Sequence, residues 1–121
     1  MGKKKLHIAM LEDDSDDRYL TEEVLAELDF NLQIIFFSSS IDLLAGINSL
    51  LPDLILVDYN STPQNGMEVL RILKANNNLS AVPVVILSDD KLAKYKADCY
   101  RLGANGFVIK PTSLAETKKK I

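Results

Sequence analysis

A lone cysteine, Cys99, leaves this chain without an internal disulfide, which fits a reducing cytoplasm. The lone histidine, His7, lies inside the first apolar run with no cysteine or second histidine beside it, so it reads as a structural residue. No apolar stretch approaches the roughly 18 residues of a membrane-spanning helix. The run that follows Lys3-Lys4-Lys5 is too short for a signal peptide. Met1-Gly2 opens like a myristoylation site, but residue 6 is Leu where Ser or Thr is needed. Positive charge is also short: 14 Lys and Arg stand against 17 Asp and Glu, and a formal charge of −3 argues against a general nucleic-acid binder. Repeats, low-complexity tracts and linkers are absent. What remains is expected to form one globular domain over residues 1–121, with no output domain in the chain.

Short apolar runs alternate with amphipathic stretches. The runs lie at Leu6–Leu11, Leu32–Phe37, Leu54–Val57, Val84–Leu87 and Phe107–Ile109. Continuous apolar runs of this length predict strands buried on both faces. Between them, Leu20, Val24 and Leu28 repeat at helical spacing, as do Leu43, Leu44, Ile47 and Leu51. Met67, Leu70 and Leu73, joined by Val69, form another stripe, and Leu92, Tyr95, Cys99 and Leu102 form the fourth. Ser15 or Asp16 can cap the first helix and Ser38 to Ser40 the second. Pro52 and Pro83 stand just before strands, Gly103 sits as a helix C-cap, and Gly106 opens the last strand. The pattern predicts five strands, each followed by a helix, hence a parallel sheet with helices on both faces. The last helix can run only over 113–121.

The chemistry gathers where strands stop. Asp58 closes Leu54-Ile55-Leu56-Val57, and the first strand stops at Glu12-Asp13-Asp14. The carboxyl edge of an open α/β sheet is where such folds place their ligands. Carboxylates about 4 Å apart repel by roughly 4 kcal/mol at an effective dielectric near 20, so a counter-charge is required. A hard divalent cation such as Mg²⁺ supplies one. Lys110, ending the fifth strand, supplies another, and Ser88, ending the fourth, brings a hydroxyl. Such an edge suits a metal and a phosphoryl group, with one Asp as nucleophile.

These residues resemble the response regulator receiver domain, the CheY-like phosphoacceptor module of two-component signalling. The resemblance covers the whole chain. It rests on Glu12-Asp13 after strand one, Asp58 after strand three, Asn65-Gly66 before helix three, Ser88 after strand four and Lys110-Pro111 after strand five. It implies a flavodoxin-like (βα)5 three-layer sandwich, its parallel sheet in the order 2-1-3-4-5. Asp58 would accept a phosphoryl group from a histidine kinase or histidine phosphotransfer protein. Glu12, Asp13, Asp58 and the backbone carbonyl of Asn60 would hold Mg²⁺. Lys110 would contact the phosphoryl oxygens, Ser88 and Phe107 would act as the coupled switch, and Lys110-Pro111 would be a cis peptide. The face of helix four, strand five and helix five would meet a protein target, or a second copy in a weak homodimer if the chain is not a monomer. No nucleic acid, membrane or independent substrate turnover is implied.

Some positions depart from the family pattern. Asp89 replaces a small residue after the switch hydroxyl, and Ser61-Thr62 delay the loop proline to Pro63. Asn60, Asp89 and Asp90 occupy positions expected to tune phosphate lifetime. Two other readings follow. A pseudo-receiver would use the same fold as a phosphorylation-independent interaction surface. A haloacid-dehalogenase-like phosphatase would carry an acid two residues after its nucleophile, where this chain has Asn60. The clusters Lys3–Lys5 and Lys118–Lys120 are expected together at the sheet's amino edge, opposite the acids.

Overall fold

The five apolar runs pair into one sheet. The strands are β1 (Leu6–Leu11), β2 (Leu32–Phe37), β3 (Leu54–Asp58), β4 (Val84–Ser88) and β5 (Gly106–Ile109). They lie parallel in the order β2-β1-β3-β4-β5. The computed structural model describes residues 5–27 and 31–110, apart from the side chains of residues 90–92. Parallel neighbours cannot be joined by a tight turn, so each connection crosses over through a helix. The chain winds outward from β1 to β2, then reverses past β1 to β3. That reversal opens a crevice at the carboxyl ends of β1 and β3.

Four α-helices fall in the described residues: α1 (Ser15–Ala26), α2 (Ser40–Leu50), α3 (Gly66–Ala75) and α4 (Lys96–Arg101). Alternate strand residues face opposite sides. Ala9, Leu11, Ile55, Val57, Val84 and Ile86 pack with Leu43 and Ile47 of α2, with Val69, Leu70 and Leu73 of α3, and with Cys99 of α4. Ile8, Met10, Leu56 and Leu87 face the other side, where Leu25 of α1 packs on them. Cys99 is fully buried in the first of these clusters, and burial raises its thiol pKa, as suits an inert core residue.

The helix starts correct one expectation. Asp14, not Ser15 or Asp16, caps α1, its carboxylate accepting from the amides of Asp16 at 2.8 Å and Asp17 at 3.1 Å. Ser15 is already helical, so it cannot serve. Ser39 caps α2 through the Asp42 amide, and Asn65 caps α3 in a reciprocal capping box with Glu68. The fourth stripe also departs from the expected single helix. Asp90–Tyr95 wind as a 3₁₀ turn before α4 begins at Lys96. Asp89 precedes that turn without a side-chain hydrogen bond to it, unlike the three capped helices. Gly103 ends α4 at φ 105°, the left-handed conformation expected of a C-cap glycine.

The Lys110–Pro111 bond, the expected fifth helix and the lysines at 3, 4 and 118–120 lie outside the described residues. The cis peptide among the described residues is Thr62–Pro63. The loop from β3 to α3 is packed tightly against the strand end. A Cβ on Gly66 would come within 2.7 Å of the Tyr59 Cα and 3.1 Å of the Asp58 carbonyl oxygen. Both are backbone atoms and cannot swing aside. Gly66→Ala is therefore expected to cost about 2 kcal/mol in urea unfolding, by overpacking at a backbone contact. Ala at the more open Gly46, which faces only the Phe37 ring at 3.2 Å, should cost less.

Candidate functional site

Strand register brings the acids together. Leu11 of β1 pairs with Val57 of β3, so Glu12 and Asp58 leave the sheet side by side. Glu12 is pinned through its backbone. Its amide donates to the Phe37 carbonyl at 3.0 Å, and its carbonyl accepts from Arg18 Nε at 2.6 Å. Arg18 also donates from Nη2 to Ser38 Oγ at 2.8 Å and lies over the Phe36 ring, 5.0 Å from its centroid. The Glu12 carboxyl is thereby held in a buried place, where Oε2 accepts from the Asp14 amide at 3.3 Å. Asp58 is buried too, and its Oδ1 accepts from the Asn60 amide at 3.1 Å. Ligand oxygens of Glu12, Asp13 and Asp58 lie within 4.8 Å of one another, with Asp13 exposed.

Lys110 comes from the far side of the crevice. Its amide donates to the Ser88 carbonyl at 2.7 Å, extending the β4–β5 ladder by one residue. Its Nζ lies 3.1 Å from Glu12 Oε1, 3.4 Å from Asp58 Oδ2 and 2.8 Å from Asp17 Oδ2. Asp17 was not among the expected site residues. It sits in the first turn of α1, and only the rotation of that helix on the sheet directs it at Lys110.

Charge balance decides what this edge can hold. Burial first, and the Asp58 charge second, push the Glu12 carboxyl from 4.5 up to about 7, against the opposing pull of Lys110. For Lys110, burial acts to lower the pKa. The Asp17 hydrogen bond and the Asp58 and Glu12 charges outweigh it and hold the ammonium above its usual range. One lysine therefore does not neutralise the cluster. Three convergent carboxylate oxygens with a deficit of positive charge, and no thiol or imidazole among them, fit a hard divalent cation.

The rim residues follow. Ser88 is fully buried at the end of β4, and its hydroxyl donates to the Asp89 carbonyl at 2.7 Å. Phe107, half-buried in β5, packs against the α2–α3 core cluster. Asp89 is half-buried, and its Oδ1 has no hydrogen-bond partner among the described residues. The Asp90 side chain lies outside the description. The loop after Asp58 is tied down by contacts that no short-range pattern marked. Ser61 Oγ donates to the Gln64 carbonyl at 2.7 Å, and the Ser40 amide donates to the Thr62 carbonyl at 2.9 Å. The Ser40 hydroxyl donates to the Gln64 side-chain oxygen and accepts from the Gln64 amide at 3.0 Å. Tyr59, one residue past Asp58, stacks on Tyr95 of the 3₁₀ turn, with centroids 5.4 Å apart.

The raised Glu12 pKa carries a stability consequence. The folded state holds this proton more tightly than the unfolded chain, so the metal-free protein has its full contribution below about pH 4.5 and loses it as pH rises through about 7. Glu12→Gln removes the ionisation. In metal-free protein at pH 8 it is expected to raise stability by on the order of 2 kcal/mol, and to flatten the fall between pH 5 and 7. Thermal melts in a chelator across that pH range measure both effects. An unchanged pH slope would count against the crowding of charge described here.

Comparison with known proteins agrees with this geometry. Residues 8–121 match the family described as the response regulator receiver domain. The regulatory protein VirG of Rhizobium radiobacter is 29% identical over 121 residues, which cover 99% of this chain and 43% of VirG, so the chain spans less than half of that relative's length. The crystal structure of the Mn²⁺-bound form of response regulator Rcp1 is 27% identical, superposes with a TM-score of 0.82, and is matched over 95% of this chain and 88% of its own. The phosphorylated cyanobacterial phytochrome response regulator RcpA is 25% identical at a TM-score of 0.80, over 97% of this chain and 89% of its own. The shared strand order, the acidic crevice and the family match over nearly the whole sequence lead to one conclusion: this chain belongs to the response regulator receiver domain family of two-component signalling.

Proposed function

We propose that Asp58 is the phosphoacceptor, charged by a histidine kinase or a histidine phosphotransfer protein, and that its phosphorylation switches a protein-binding face. The observation that carries this reading is the placement of Asp58 Oδ2 3.4 Å from Lys110 Nζ, within a cluster whose other acids offer oxygens within 4.8 Å. An Asp58 oxygen attacks phosphorus and forms an acyl phosphate. The phosphorus–nitrogen bond of the phosphohistidine breaks, and its electron pair returns to the imidazole, which takes up a proton. Lys110 holds the phosphoryl oxygens. Glu12, Asp13, Asp58 and the Asn60 carbonyl would hold Mg²⁺, which when bound neutralises charge on the phosphoryl group.

Phosphorylation adds roughly −1.5 to −2 charge and three acceptor oxygens. The Ser88 hydroxyl, now bonded to the Asp89 carbonyl, exchanges that bond for a phosphoryl oxygen. Phe107 turns into the space this vacates, and the surface around α4 and β5 changes. Asn60, Asp89 and Asp90 set how readily water reaches the acyl phosphate. The work of the domain is signalling in the cytoplasm, through a protein target or a weak homodimer on that surface, rather than turnover of an independent substrate. Asp89 supports a second reading. A half-buried acid beside the switch hydroxyl, with an oxygen that has no partner among the described residues, would repel an anionic donor, and the domain would then serve as a phosphorylation-independent binding module.

Acetyl phosphate with Mg²⁺ separates the two readings. Intact-mass spectrometry is expected to register the gain of one phosphoryl group, and Asp58→Asn to abolish it. No gain, or a gain that survives Asp58→Asn, favours the binding module. Steady release of phosphate from simple esters would reopen the phosphatase reading.

A further inference from the structure

Lys110 serves three carboxylates, and its shortest bond goes to the one outside the acidic cluster. Asp17 Oδ2 lies 2.8 Å from Nζ, against 3.1 Å for Glu12 and 3.4 Å for Asp58. Only the Asp17 and Glu12 contacts are hydrogen bonds. The ammonium is therefore drawn toward α1 and away from the expected phosphoacceptor. Lys110 also borders an apolar groove shared with Thr21, Val24 and Leu25 of α1 and with Val108 of β5. Asp17, Thr21 and Val24 are spaced four and three residues apart, so they form one face of α1. That face lines the groove that Lys110 borders, and Asp17 stands at its amino-terminal end.

The two carboxylates that bond Lys110 differ in what a departure of the lysine would cost. The Glu12 side chain is 1% exposed and would be left buried and unpaired. The Asp17 side chain is 25% exposed, so water can replace the ammonium there. Asp17 also keeps its place without the lysine, because the Asp14 cap holds its amide at 3.1 Å.

Resting on the phosphoacceptor role of Asp58, we propose that Asp17 is a positioning residue that retains Lys110 on the α1 side and must release it when an oxyanion arrives on Asp58. Asp17 thereby sets the affinity of the site for a phosphoryl group, and it opposes occupation. It acts in the other direction on the cation. By neutralising Lys110 it lessens the repulsion between the ammonium and an incoming metal ion. A residue that merely held α1 in place would support both ligands alike.

The test compares wild type, Asp17→Asn and Asp16→Asn by NMR shift titration. Asp16→Asn removes the same charge from the same helical turn, one residue away, where the side chain is exposed and no ion pair to Lys110 is present. Each protein is titrated with Mg²⁺ alone, then with beryllofluoride at saturating Mg²⁺. Relative to Asp16→Asn, Asp17→Asn is expected to bind beryllofluoride about fivefold tighter and Mg²⁺ alone about twofold weaker. Asp17→Glu, which keeps the charge, should return both constants toward wild type. Beryllofluoride binding by Asp17→Asn that is no tighter than by Asp16→Asn, or weaker binding of both ligands, overturns the inference while leaving the phosphoacceptor reading in place. A wild type that binds Mg²⁺ but no beryllofluoride overturns the phosphoacceptor reading and this inference with it.

Discussion

Like charges crowded at a buried sheet edge are the constraint around which this domain is arranged. Glu12 and Asp58 are both almost free of solvent, and their carboxylates share one ammonium with Asp17. Such a cluster costs stability in isolation, and a fold keeps it only if surrounding structure holds each member in place. Here the support is backbone hydrogen bonding. Glu12 is clamped on its amide and its carbonyl, Asp58 by the turn through Asn60 and Ser61, and Lys110 by the last rung of the β4–β5 ladder. The acids cannot relax apart, so they retain an unmet demand for positive charge.

The topology places that demand at the surface. β1 and β3 are neighbours although the chain visits β2 between them, and their carboxyl ends open together at the reversal. The strands β1 to β4 have little freedom to slip, since each carries apolar residues to two separate core clusters on opposite faces of the sheet. Register therefore aligns Glu12 with Asp58, and Lys110 follows the pairing of Ser88 with Ile109. Rigid strands thereby fix the charged groups at one edge.

Much of this is legible in the chain because strand ends are legible. Apolar runs that stop at Asp58, Glu12, Ser88 and Lys110 mark one edge of one sheet, whatever the helices do. The helical contributions are not visible in the same way. Asp17 becomes part of the charge network only through the rotation of α1 on the sheet, which no local pattern records. Ser15 and Asp14 can both cap a helix, and backbone conformation alone chose Asp14. The stripe from Leu92 to Leu102 mixes spacings of three and four, and a 3₁₀ turn also superposes residues three apart, so the spacing concealed the break at Tyr95. Ser40 and Gln64 meet across a sequence separation of 24 residues, and neither carries a charge or a pattern that would pair them in advance.

The stacked pair of Tyr59 and Tyr95 has an optical consequence. The chain has four tyrosines and no tryptophan, so its near-ultraviolet signal at wavelengths beyond the phenylalanine band belongs to tyrosine. Two of those rings lie within 15° of coplanar, one adjoining Asp58 in sequence and the other closing the 3₁₀ turn. Neighbouring aromatic rings couple their electronic transitions, and the coupling falls steeply as the rings part or tilt. Circular dichroism in the tyrosine band thus views the junction between the acidic crevice and the turn that leads into α4, with no label attached.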